Sequence, residues 1–213
     1  MSINLPFTKL SHWQQVAFSA ALLERMLPNY QMFAETTQFG ETSLIRNQLD
    51  LIWQWLDNSS AIKININAQL NKLEEQTPDP QQFDNFGVFP ALDVCMALVS
   101  LWQLMQSHGK DENDDVMSIS RLSLNSVSYY VELLIIEQNK SEEDNSSEEL
   151  SEELEVEIAQ TQINTHPLIE WEKDTQNVLF DFLRLTAENK RTCQLAKQLV
   201  LSEGISNLGI EIE

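Results

Sequence analysis

The chain has 213 residues, of which 42% are hydrophobic, so it is long enough to bury one sizeable core and short for two full domains. Thirteen basic residues against 33 acidic residues give a formal net charge of -20, which repels phosphate backbones and anionic lipid headgroups. Composition therefore predicts a single globular domain and argues against direct binding of nucleic acid or membranes.

The start of the sequence, MSINLPFTKLSHWQQ, lacks the charged segment and apolar run of a signal peptide, and no window holds 18 continuous apolar residues. We therefore expect a cytoplasmic protein. Its two cysteines, Cys95 and Cys193, fall in apolar helical patterns and form no CxxC pair, so they are predicted to be buried thiols.

The first predicted helix covers residues 8–27, with a stripe spaced by three and four residues that consists of Leu10, Trp13, Ala17, Ala20, Glu24 and Leu27. Pro28 is predicted to end this helix, and NYQMFAETTQ to form a short second one before Gly40. Glu24 is the anomaly in the stripe, because it comes late in its helix, where the dipole disfavours an anion. A carboxylate buried there needs a partner or takes up a proton, and the candidate partners are Arg25, Arg46 and Lys72.

Residues 41–57 repeat the amphipathic pattern and predict another helix. The following run, KININAQLNKLEEQTP, predicts a helix with an asparagine cap that is closed by Pro78. The alternation of Ile62, Ile64 and Ile66 leaves a short strand as the alternative.

The run GVFPALDVCMALVSLW, residues 87–102, has almost no polar side and predicts a central helix that is covered on both faces. Pro90 suits its first position and Gly109 its exit. Asp93 is then expected in the first turn, where free backbone N–H groups stabilise an anion, and this structural role accounts for it.

A further long helix is predicted in VMSISRLSLNSVSYYVELLIIEQ, with a small-residue face at Ser120, Ser123 and Ser126. From Glu137 to Glu157 the chain then carries ten carboxylates against Lys140 alone. Because such a block repels itself and stays solvated, residues 138–157 are predicted to be a mobile loop or weak surface helix within the single domain.

The C-terminal part predicts one long helix from about Leu168 to Glu203, followed by Gly204 as its cap. Its core candidates are Trp171, Val178, Phe182, Leu185, Ala196 and Leu199. The tail ISNLGIEIE alternates apolar and acidic residues and predicts a short extended segment. Together these elements predict an all-α, single-domain bundle of about six to eight helices.

Familiar site motifs are absent from the sequence. There is no GxxxxGK[ST] loop, no GxSxG elbow and no Glu-x-x-His pair, and the acidic run from Asp111 lacks the glycine and glutamate of a calcium loop. We therefore predict no metal site and no cofactor.

The candidate site residues are the charges predicted inside apolar faces, which are Glu24, Arg25, Arg46, Asp50 and Asp93. One interpretation is a buried ion network that holds three helices in register, with Arg46 also paired to Asp50. The other is that Glu24, Asp50 and Asp93 converge on a pocket as a ligand or metal clamp. The sequence leaves both open.

Several runs resemble a known family: WQQVAF, LLERMLPNYQMF, LDLIWQWL, FDNFGVFPALDVCMAL, HPLIEWEKD and SNLGI. In order and spacing they are similar to the YjaG-like proteins of gammaproteobacteria, a domain of unknown function. The resemblance covers nearly the whole chain and departs most at the acidic block. It implies a compact, mostly helical single domain, and it implies no activity, cofactor or catalytic residue.

For function, the sequence favours a cytoplasmic interaction or scaffold protein that binds itself or another protein through an apolar, aromatic surface. Five tryptophans and the run NYQMF supply the residue types that dominate interface hot spots, although each of them also suits a core. The alternative is a small-molecule or metal-binding enzyme that uses the buried carboxylates. A third hypothesis is that the acidic segment Glu142–Glu157 captures a basic partner.

Overall fold

The computed structural model describes residues 3–57, 62–107, 112–142 and 160–212. In these ranges the chain forms seven helices of nine or more residues: α1 (His12–Thr37), α2 (Thr42–Asp57), α3 (Ile66–Glu74), α4 (Val88–Gln106), α5 (Glu112–Glu142), α6 (Pro167–Leu185) and α7 (Lys190–Val200). The described residues form no strand beyond a single antiparallel bridge between Ile205 and Glu211. The predicted all-α bundle of six to eight helices is therefore confirmed.

Helix α1 lies at the centre of the bundle. Every residue from Val16 to Leu27 is buried, and the helix contacts α2, α4, α5, α6 and α7. It begins with a capping box, in which the Ser11 side chain accepts from the Gln14 backbone N–H and the Gln14 side chain accepts from that of Ser11. Helix α4 packs between α1, α3 and α5.

The prediction that Pro28 ends the first helix is wrong, because α1 continues through it to Thr37. Proline removes one N–H from the helix ladder and its ring crowds the carbonyl four residues earlier, but the buried neighbours Leu27, Asn29 and Tyr30 hold the next turn by tertiary packing. The helix ends as predicted before Gly40, which has a φ of 73°. A Cβ at Gly40 would also collide with the Tyr30 hydroxyl.

Helices α2 and α3 lie where the sequence predicts them. Asn65 is the cap of α3, since its side chain accepts from the Ala68 backbone N–H at 3.1 Å. Residues 62–65 are irregular, so the strand alternative for Ile62, Ile64 and Ile66 is wrong.

Helix α4 begins two residues earlier than predicted, with Gly87 as its N-cap. Pro90 is therefore the third helical residue and Asp93 the sixth, so Asp93 lies beyond the first turn and the helix-dipole explanation for it is wrong. Gly109 lies outside the described residues. By length and hydropathy α4 resembles a membrane span, but 72% of its most apolar window is buried inside the fold, as in the core helix of a soluble domain.

Helix α5 confirms the long helix predicted before the acidic block. Its predicted small-residue face is buried, with Ser120, Ser123 and Ser126 each at most 1% exposed. Of the predicted mobile segment, residues 138–142 belong to α5, and residues 143–157 lie outside the described residues.

The single C-terminal helix of the prediction is two helices, α6 and α7, and Asn189 caps the second. Two of the predicted core residues on α6 are wrong, because Val178 is 54% and Leu185 74% exposed. The buried face of α6 consists of Ile169, Glu172, Gln176, Leu179, Phe180 and Leu183. Because Glu172 and Gln176 are polar, the sequence of this face does not show the regular apolar spacing that normally marks a buried helix face.

The C-terminal residues after α7 form a tight turn. Helix α7 ends at Val200, so Gly204 is not its cap but lies in the next turn with a φ of 67°. The Ser206 N–H donates to the Ile210 carbonyl at 2.7 Å, and that of Ile212 to the Gly204 carbonyl at 2.9 Å. We call residues 205–211 the C-terminal turn.

Candidate functional site

The predicted charges Glu24, Arg46 and Asp50 meet in one cluster, which also includes Trp53 and Lys197. The Arg46 guanidinium binds both oxygens of Glu24, at 2.6 and 2.9 Å, and its Nε donates to Asp50 at 2.9 Å. Oε1 of Glu24 also accepts from the Trp53 indole at 2.7 Å and pairs with the Lys197 ammonium at 3.1 Å. This ion cluster joins α1, α2 and α7.

The ion cluster keeps Glu24 ionised. Burial by itself raises the pKa of this carboxyl, but the hydrogen bonds and charge of Arg46, with Lys197, outweigh burial and hold the pKa below its usual value. The Lys197 ammonium also lies 4.5 Å from the centre of the Trp53 ring, in cation–π contact. Both oxygens of Glu24 are thus occupied by protein groups.

Arg25 is Glu24's neighbour in the chain but belongs to a second, fully buried cluster. Its guanidinium pairs with Glu172 at 2.5 Å, and both side chains have no exposed surface. The other carboxylate oxygen of Glu172 accepts from Ser123 and from Gln176, each at 2.7 Å. The guanidinium also stacks 4.2 Å above the Trp171 ring.

This buried network continues into the C-terminal turn through Asn207. The Asn207 amide donates to the Ser123 carbonyl at 3.0 Å, and its oxygen accepts from the Asn29 amide at 2.8 Å. Ser120 closes the other end by donating to Gln176 at 2.6 Å. The network ties α1, α5, α6 and the C-terminal turn together, and its hydrogen-bonded side chains are at most 3% exposed.

Glu172, Gln176 and Asn207 are not among the site residues predicted from the sequence. A usable signal existed for the first two, because they interrupt an otherwise apolar stripe with three- and four-residue spacing, as Glu24 does in α1. No helical pattern marks Asn207, which lies in a turn.

Asp93 lies between α4 and α5, away from both the ion cluster and the buried Arg25 network. Its carboxylate accepts from the Ser126 hydroxyl at 2.7 Å. Burial raises its pKa to about 6, and the Ser126 hydrogen bond offsets part of the rise.

The five candidate residues therefore occupy three separate clusters. The structure brings Glu24 and Asp50 onto one arginine and places Asp93 on a different helix pair. Across the described ranges, no group of three or more His, Cys, Asp or Glu side chains is arranged to hold a metal ion. Cys95 and Cys193 are buried as predicted, and burial raises the pKa of each thiol to about 12, which disfavours the nucleophilic thiolate.

A cavity of about 590 Å³ opens between α1, the start of α4, α5 and the C-terminal turn. None of the five candidate residues lines this cavity. Its apolar walls come from Met32, Phe33, Phe86, Pro90, Tyr130, Leu208 and Ile210, and its polar groups from Asn29, Thr36, Asn85 and Glu211.

Beside the cavity lies an exposed apolar strip, which we define as Phe89 of α4 with Tyr129, Leu133 and Ile136 of α5. These four side chains are 38–51% exposed, and they line a groove of about 310 Å³ together with Phe86 and Glu132. The Phe89 and Tyr129 rings lie 6.3 Å apart. Phe86 lines both the groove and the cavity, so the two surfaces are continuous.

Known proteins are similar to this chain over nearly its whole length. Residues 2–211 match the model of a family described as "Protein of unknown function (DUF416)". "Uncharacterized protein YjaG" of Escherichia coli (strain K12) is 36% identical over 98% of this chain and 95% of its own length. An uncharacterized protein of Haemophilus influenzae is 33% identical over 98% of this chain and 96% of its own.

A solved structure shows the same fold. The crystal structure of a DUF416 family protein from Shewanella baltica OS155, at 1.91 Å resolution, is similar with a TM-score of 0.78 and 30% identity. The match covers 98% of this chain and 100% of that one. These findings confirm the resemblance to the YjaG-like proteins, and the chain belongs to the DUF416 family.

Proposed function

We propose that this protein is a cytoplasmic interaction module that binds a protein partner through the apolar strip. The observation that carries the proposal is the row of exposed Phe89, Tyr129, Leu133 and Ile136 side chains beside a groove. Contiguous apolar surface of this kind on a globular protein marks an interaction site, and aromatic residues dominate the energetics of such sites.

The spacing of the strip fits a helix as the partner. Tyr129, Leu133 and Ile136 follow one another at i, i+4 and i+7 on a single face of α5. A groove between this face and Phe89 suits an amphipathic helix that presents apolar side chains with the same period.

Charge supports a basic partner. The exposed Glu132 lies in the groove, Glu137 follows the strip, and the sequence from Glu137 to Glu157 carries ten carboxylates. We therefore infer that the partner helix has lysine or arginine beside its apolar face. Two copies of this chain, each with a charge of -20, repel each other, which favours such a partner over a second copy, a nucleic acid or an anionic membrane.

The ion cluster supports a structural role better than the enzyme alternative. Both oxygens of Glu24 already bind Arg46, Trp53 or Lys197, so a ligand would have to displace a charged partner. We infer that Glu24, Arg46 and Asp50 hold α1 and α2 in register and that Lys197 adds α7 to them.

A designed peptide tests the proposed interaction. The probe is a labelled amphipathic helix of about five turns, with a leucine face and lysine flanks, and its binding is measured by fluorescence anisotropy. We expect the lysine peptide to bind, the same peptide with glutamate flanks to bind at least about tenfold more weakly, and added salt to reduce the difference.

The matched variants are Leu133→Glu in the strip and Leu195→Glu on α7, whose side chains are 38% and 40% exposed. Leu133→Glu should weaken peptide binding by about tenfold or more, and Leu195→Glu should leave it unchanged. Equal affinity of both variants for the peptide contradicts the proposal. A dimer in sedimentation velocity that Leu133→Glu dissociates would place a second copy on the strip and contradict the basic partner.

A further inference from the structure

We propose that the cavity beside the C-terminal turn binds a small organic amine with an aromatic or apolar body. The cavity volume of about 590 Å³ lies within the range of roughly 300–1,000 Å³ that small-molecule sites occupy. Its lining also follows their usual composition, in which apolar and aromatic walls surround a few polar groups.

The walls suit a flat ring. The Phe86 and Tyr130 rings lie 6.1 Å apart with a tilt of 37° and form one side, and Met32 lies in the wall contributed by α1. Aromatic faces carry partial negative charge, so they attract a cation as well as an apolar surface.

Asn29 offers an unused hydrogen-bond acceptor in the cavity wall. The side chain is 3% exposed, and its amide N–H donates to Asn207 at 2.8 Å, which fixes the orientation of the amide. The Asn29 oxygen is buried and has no hydrogen-bond partner among the described residues. The oxygen has almost no accessible surface, so a ligand N–H reaches it only if the Asn29 side chain shifts toward the cavity. Since an unsatisfied buried acceptor is costly, a hydrogen bond formed in this way adds affinity.

The charges around the cavity favour a ligand with a positive charge. Glu211 belongs to its lining, and Glu35 lies in an adjoining depression that shares Met32, Ile210 and Glu211 with it. Among the residues that the structure describes, no lysine, arginine or histidine lines either space. A carboxylate or phosphate ligand would meet only like charge here, whereas an ammonium group, which has several N–H donors, would meet the Glu211 carboxylate in the cavity, with Glu35 in the adjoining depression.

Three probes of similar size and different charge test this inference: phenethylamine, phenethyl alcohol and phenylacetate. Binding is measured by isothermal titration calorimetry and by amide chemical-shift changes in the full chain. We expect phenethylamine to bind most tightly, phenethyl alcohol more weakly, and phenylacetate not at all. Absence of binding by all three, or equal binding by the amine and either of the other probes, overturns the proposal.

Matched variants locate the site. Met32→Trp fills the cavity and should abolish amine binding. The control is Met96→Trp on α4, because Met96 is similarly exposed but does not line the cavity. This control should bind the amine as the wild type does. Glu211→Gln should weaken binding of phenethylamine by about threefold, as expected for the loss of a partly solvated ion pair. It should leave the affinity for phenethyl alcohol unchanged. Equal loss of amine binding in Met32→Trp and Met96→Trp overturns the assignment.

The inference is independent of the proposed interaction function. Leu133→Glu should weaken peptide binding by about tenfold or more and leave amine binding intact. If Met32→Trp abolishes peptide binding while no small probe binds, the cavity instead receives a side chain of the partner, and the amine proposal is wrong.

Discussion

At the residue scale, the buried carboxyl of Asp93 is a source of pH-dependent stability. Burial raises its pKa from 3.8 to about 6, so the folded state binds a proton more tightly than the unfolded state does. Its stabilising contribution is therefore complete below about pH 4 and is lost as the pH rises to about 6. Near neutral pH the fold holds a charged carboxylate there with one hydroxyl as its described hydrogen-bond partner.

We predict that Asp93→Asn stabilises the protein at neutral pH by about 1–3 kcal/mol, because the amide keeps an acceptor for Ser126 and carries no charge. The gain should shrink as the pH falls from about 6 to about 4. Urea unfolding of both proteins across this range measures it. The exposed Asp174→Asn is the control and should follow the wild-type curve, and a gain for Asp93→Asn that does not change with pH would contradict the assignment.

At the element scale, the sequence predicted helices well and helix faces less well. Helices α2, α3 and α5 were predictable because their apolar and small residues recur at helical spacing, and Asn65 also marks the cap of α3. The buried face of α6 was not, because Glu172 and Gln176 occupy it and only the side chains that satisfy them, Arg25, Ser120 and Ser123, explain why they are there. Pro28 shows the reverse effect, since a strong local stop signal yields to the packing of buried neighbours on both sides.

The joint between α1 and α2 depends on the shape of the Arg46 guanidinium. We predict that Arg46→Lys lowers the free energy of unfolding by about 1–2 kcal/mol, because an ammonium cannot bind both Glu24 oxygens and Asp50 in the same geometry. Chemical denaturation measures the loss. Arg184→Lys, at an exposed arginine that makes one bond to Asp181, should change stability by no more than about 0.5 kcal/mol.

If Arg46→Lys costs no more than Arg184→Lys, the ion cluster does not set the register of α1 and α2. Asp50 provides a second check, because it is 46% exposed and its pairing with Arg46 is screened by solvent. Asp50→Asn should therefore change stability much less than Arg46→Lys does.

At the scale of the whole molecule, charge is concentrated in the acidic segment that follows the apolar strip. Replacing the eight carboxylates of residues 143–157 with their amides reduces the formal charge from -20 to -12. We predict that this variant binds the lysine peptide several-fold more weakly at low salt and equally at high salt, because long-range attraction is screened. Anisotropy measures both affinities, and unchanged affinity at low salt would show that the segment plays no part in binding.

The fold class and family were predictable from the sequence, whereas the candidate binding surfaces were not. The cavity forms where Met32, Phe86, Tyr130 and the C-terminal turn meet, and these residues are far apart in the chain. The same apolar residues are equally consistent with core positions, because no local pattern distinguishes a wall with nothing packed against it from one that is covered.

Asn207, near the C-terminal end of the sequence, completes hydrogen bonds to buried groups that come much earlier in the chain. Its backbone N–H donates to the Arg25 carbonyl, and its side chain bonds Asn29 and Ser123, residues synthesised long before it. A ribosome that has made all seven helices has not yet made the residue that satisfies these buried groups. Domains start to fold during synthesis from their N-terminal side. We expect the bundle to close only after its helices have been translated, because these buried groups gain their Asn207 partner only when the C-terminal turn has emerged.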